Sequence, residues 1–85
     1  MNDQQIIKEL KERLNDEGSK WHLQFAVSRS MSQDGDWWIV FVSHNATREN
    51  GAAARQIIAD VEREVTGAAG RELLLVPVSK LEDAA

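Results

Sequence analysis

The apolar positions of this chain follow two periods, 3.6 and 2, and the changes between them divide it into five elements. Ile6, Ile7, Leu10 and Leu14 form one stripe at helical spacing, with Lys8, Glu9, Lys11, Glu12 and Arg13 on the other side, which predicts an amphipathic helix over residues 3–16. Asn2 or Asp3 is its expected N-cap and Gly18 its stop. KWHLQFAVSRS, residues 20–30, then alternates: Trp21, Leu23, Phe25 and Val27 point one way, His22, Gln24, Ala26 and Ser28 the other. Residues 29–36, RSMSQDGD, read as a polar connection with a turn at Asp34-Gly35, and WWIVFVSH, residues 37–44, as the returning arm of a hairpin.

Helical period resumes from about Thr47 to Thr66, where Ala54, Ile57, Ile58, Val61 and Val65 share a face, and Gly67 is the expected stop. LLLVPV, residues 73–78, is the last strand, with Pro77 marking an edge or an end. Residues 80–85 are expected to fray.

The order helix, strand, strand, helix, strand predicts an α+β fold: a two-layer αββαβ sandwich in which two helices pack on a three-stranded mixed sheet. Residues 1–85 form one domain, since a chain this short supports a single core. A right-handed crossover would place the last strand parallel to WWIVFVSH and make the latter central. Pairing odd positions with odd positions across the hairpin puts Trp37, Ile39 and Phe41 in the core beside Trp21, Leu23 and Phe25. Trp38, Val40 and Val42 then lie on the outer face, joined by Val76 of the last strand. A one-residue change in register reverses the assignment for residues 37–44.

Composition narrows the function classes. The chain has no cysteine, so disulfides, thiolate metal sites and a cysteine nucleophile are excluded. His22 and His44 could face each other across the hairpin but lack the further ligands a metal needs. No nucleotide-binding loop, nucleophile elbow or zinc-protease signature occurs, and the expectation is a non-enzymatic domain without cofactor or metal. The N-terminal residues do not resemble a signal peptide and no apolar run approaches the ~20 residues of a membrane helix, so a cytoplasmic, membrane-free protein is expected.

Net charge of −4 disfavours nucleic acid as a partner. GAAG, residues 67–70, nevertheless resembles the short glycine loop of KH domains, and the element order resembles a ferredoxin-like fold lacking its first strand and, more loosely, KH-type domains. That resemblance implies a weak single-stranded RNA-binding alternative using Arg29, Gly67, Gly70 and Arg71. The leading expectation is self-association or protein binding through an apolar sheet face of Trp38, Val40, Val42 and Val76, with a homodimer as its simplest form. A further alternative is a designed or orphan scaffold with no biochemical activity, because the local signals agree while the chemistry is missing.

Overall fold

The computed structural model describes all 85 residues. Helix α1 (Asp3–Gly18) opens with a capping box: the Gln5 N–H donates to the Asn2 side chain at 2.8 Å, and the Asn2 N–H donates to Gln5 Oε1 at 2.9 Å. A 3₁₀ turn, Ser19–Trp21, follows, and then short strands β1 (Phe25–Val27) and β2 (Ser32–Asp34). Strand β3 (Trp37–His44), helix α2 (Gly51–Ala69) and strand β4 (Leu73–Pro77) complete the α+β fold.

β3 is central. β4 runs parallel to it along one edge, from Trp38↔Leu73 to Val42↔Pro77. β1 and β2 share the other edge, both antiparallel, β1 opposite residues 42–44 and β2 opposite residues 37–39. The four strands therefore build a mixed sheet three strands wide, its first arm broken in two. Val27 faces Val42 and Ser32 faces Ile39, so five steps on the first arm match three on β3. The surplus is a bulge over Ser28–Met31 that tucks Met31 against the core.

What was expected to be a long polar connection is thus a bulge, a short strand and a two-residue turn at Gly35-Asp36, between Asp34 and its partner Trp37. Gly35 has φ +62° and Asp36 a negative φ, the pattern of a type II′ turn, which suits the twist of a hairpin.

A two-residue turn pairs odd positions with even ones, and this corrects the expected faces. Phe25 lies opposite His44 and Val27 opposite Val42. Val40 and Val42 are fully buried with Leu23, Phe25 and Val27, and Trp38 packs partly against them. Trp37 and Phe41 instead point away from the helices, 47% and 37% exposed. Trp21 also leaves the core, 53% exposed, because the 3₁₀ turn replaces the start of the expected first strand.

Both helices cover the same face of the sheet. Ile6, Ile7, Leu10 and Leu14 of α1 meet Ala54, Ile57, Ile58, Val61 and Val65 of α2 over Val40, Val42, Leu73 and Leu75, in one continuous core. Arg13 ties the helices together, donating to Glu9 at 2.7 Å and to Glu64 at 3.0 Å. These bonds, the one to Glu9 first, raise its pKa further above the ordinary arginine value.

Candidate functional site: the open face of the sheet

Alternation along β3 and β4 decides what the uncovered face carries. Trp37, Ile39 and Phe41 lie on it, and the parallel register sets Leu74 beside Ile39 and Val76 beside Phe41. Leu74 is 36% exposed, and Ile39 and Val76 are partly exposed. No helix packs on this side. Of the four residues expected to form the apolar patch, only Val76 belongs to it. Trp38, Val40 and Val42 are on the helix-covered face, because the two-residue turn shifts the hairpin parity by one.

At one end of the patch, Trp37 also borders a shallow depression with Glu62, Arg63 and Glu72. At the other end, the segment after β4 crosses beside Phe41. There Ser28, Arg29, Ser32, Phe41, Val78 and Leu81 help to line an open depression of about 370 Å³. This segment, expected to fray, continues along the outer edge of β1. The Arg29 N–H donates to the Asp83 carbonyl at 3.0 Å, and the Ala85 N–H donates to the Val27 carbonyl at 2.9 Å.

The edges of the sheet are closed by side chains as well. The Phe25 N–H donates to Asn15 Oδ1 at 2.9 Å and Asn15 Nδ2 donates to the Phe25 carbonyl at 3.0 Å, so one amide side chain imitates a neighbouring strand. On β4, the Leu75 N–H donates to Glu62 at 2.9 Å and the Leu73 N–H to Thr66 at 3.2 Å. Pro77, the next residue in that alternation, has no N–H to offer. The three-residue β2 keeps an exposed edge, and short edge strands with a charge resist pairing with another chain.

The residues of the RNA alternative are dispersed. Gly67 is inside α2 and Gly70 is its C-cap, in the left-handed region at φ +69°, so GAAG is the last turn of a helix rather than a loop between helices. Arg71 stacks over the Trp38 ring, 4.8 Å from its centroid, and pairs with Asp3. Arg29 is held at the β1 edge by Asp83 at 3.4 Å. His44 packs against the Phe25 ring, and the observed register does not set it opposite His22, which sits at φ +57° after the 3₁₀ turn. No group of three or more histidines, cysteines or carboxylates is placed to hold a metal, and no helix is long and apolar enough to cross a membrane.

Compared with protein-family models, with curated proteins and with solved structures, the chain matches none of them.

Proposed function

We propose that this chain is a protein-association module whose working surface is the open face of its sheet. One observation carries the reading: Trp37, Ile39, Phe41, Leu74 and Val76 form a contiguous, partly exposed apolar surface on the face opposite the two helices, bordered by the chain's own segment after β4 only beside Phe41. A soluble domain rarely leaves such a group of large side chains together without an association to bury them, and tryptophan is the residue most enriched in binding hot spots. The closed edges support the face rather than strand addition as the route of association.

Site-specific photo-cross-linking in the producing cell tests this. A photoreactive phenylalanine analogue at Phe41 should form discrete protein adducts that vanish when Trp37→Asp is added to the same chain. The same analogue at Gln56, exposed on α2, should not form them. Identical adduct patterns from both positions, or none from Phe41, would remove the reading.

A further inference from the structure

The charges around the open face define the chemistry of what covers it. Asp34 lies opposite Trp37 on the same side of the sheet, and Asp36 occupies the turn beside it. Glu72 borders the depression next to Trp37, and Glu82 lines the one next to Phe41. None of these four carboxylates has an ion-pair partner within the chain. The cations nearby are mostly spent: Arg63 is held by Asp60 at 2.6 Å and Arg29 by Asp83 at 3.4 Å. Lys80 alone is unpaired, so the rim has an excess of negative charge, of the same sign as the net −4 of the chain.

That rim opposes a second copy of the chain. Stacking two such faces would bring like-charged rims together in a partly desolvated contact, and like charges set against each other across an interface disfavour it. It suits a cationic partner instead. The backbone gives the partner's shape. Strand addition is blocked at β1 by Asn15 and the Asp83–Ala85 segment, and at β4 by Glu62, Thr66 and Pro77. A sheet face accepts a packed helix, as the opposite face already does with α1 and α2. From Trp37 to Phe41 the apolar row runs about 13 Å at ~3.3 Å per residue, the length of about nine residues of helix.

Resting on the association reading above, we infer that the open face docks a basic amphipathic helix of a partner protein. Its apolar stripe would lie on Trp37, Ile39, Phe41, Leu74 and Val76, and its lysines or arginines would meet Asp34, Asp36, Glu72 and Glu82. The open depression beside Phe41, where Val78, Leu81 and Glu82 meet a mostly polar lining, would take the aliphatic stem and charged end of one such lysine or arginine.

Two synthetic 18-residue helical peptides with the same leucine stripe, one with lysine and one with glutamate on the polar face, test the inference by fluorescence anisotropy. The lysine peptide should bind at least tenfold more tightly than the glutamate peptide and weaken as salt rises. Phe41→Asp should abolish binding, and the pair Asp34→Lys with Asp36→Lys should weaken it about tenfold. Trp21→Asp, which alters an exposed tryptophan away from the face, should leave it unchanged, and circular dichroism should find every variant folded. Equal affinity for the two peptides, or no binding of either, would overturn the inference. So would a wild-type dimer by light scattering that Phe41→Asp turns into a monomer. The dimer would leave the association reading standing with a second copy as the occupant, whereas absence of face-specific cross-links would defeat that reading itself.

Discussion

Asn15 and Phe25 meet as two strands would: the side-chain amide of the first accepts the N–H of the second at 2.9 Å and donates to its carbonyl at 3.0 Å. A residue on the outer shoulder of α1 thereby ends the sheet. The helix that builds the core also closes its edge.

Asn15→Ala should therefore destabilise the domain by about 1–3 kcal/mol, because it leaves a partly buried N–H and carbonyl without partners. Urea denaturation measures the loss. Hydrogen exchange should place it at the Phe25 amide first, while the Val78 amide, bonded to the Val42 carbonyl at 2.8 Å, keeps its protection.

Glu62 caps the β4 edge in the same way, its carboxylate receiving the Leu75 N–H at 2.9 Å. Glu62→Ala should speed exchange of the Leu75 amide and raise the tendency to aggregate through that edge. Glu62→Gln retains an acceptor and should restore most of the protection. If both variants exchange like the wild type, the edge is not held this way.

Gly18 ends α1 against the sheet. A Cβ built there would come within 2.8 Å of the Phe25 ring and 2.9 Å of the Leu23 carbonyl oxygen. The ring can yield, but the backbone oxygen cannot move without disturbing β1. Gly18→Ala should cost about 1–3 kcal/mol by thermal or chemical denaturation, although alanine is the better helix former.

The two glycines of GAAG should respond in opposite directions. Gly67 is helical with open space at its Cβ position, so Gly67→Ala should stabilise by about 0.5–1 kcal/mol. Gly70 also has open space but sits at φ +69°, so Gly70→Ala should destabilise by about 1 kcal/mol through backbone strain alone. Paired melting curves check the contrast.

The helices were legible because each carries its stripe at one unbroken period. Ile6 to Leu14 and Ala54 to Val65 are the residues found buried, and only the ends moved. Asn45, Thr47 and Asn50 all suit an N-cap by type, and the helix starts after Asn50, whose side chain holds the preceding turn by accepting from the Thr47 N–H at 2.7 Å and donating to the Trp21 carbonyl at 3.2 Å. The parallel placement of β4 beside β3 followed from the crossover rule. The orientation of β3 did not, because Trp37 to Val42 is apolar at every position and alternation cannot tell its faces apart. The decisive signal was Asp34-Gly35-Asp36. Any two-residue loop there sets odd against even positions, which turns Val40 and Val42 inward and Trp37 and Phe41 outward. The edge closures were beyond sequence reading, since Asn15, Glu62 and Thr66 look like ordinary polar helix residues until the sheet is placed beside them.

β3 presents a free face and a core face on successive residues, and Phe41 and Val42 separate the two. The direct measurement is the unfolding free energy of Phe41→Glu and Val42→Glu, at a protein concentration low enough to exclude association. Phe41→Glu, at a side chain already 37% exposed, should still unfold cooperatively and lose only about 1–2 kcal/mol. Val42→Glu, which buries a carboxylate in an apolar core, should lose about 4 kcal/mol or more, or fail to fold. Equal losses at the two positions, or a larger loss at Phe41, would mean that residues 41 and 42 do not divide a free face from the core.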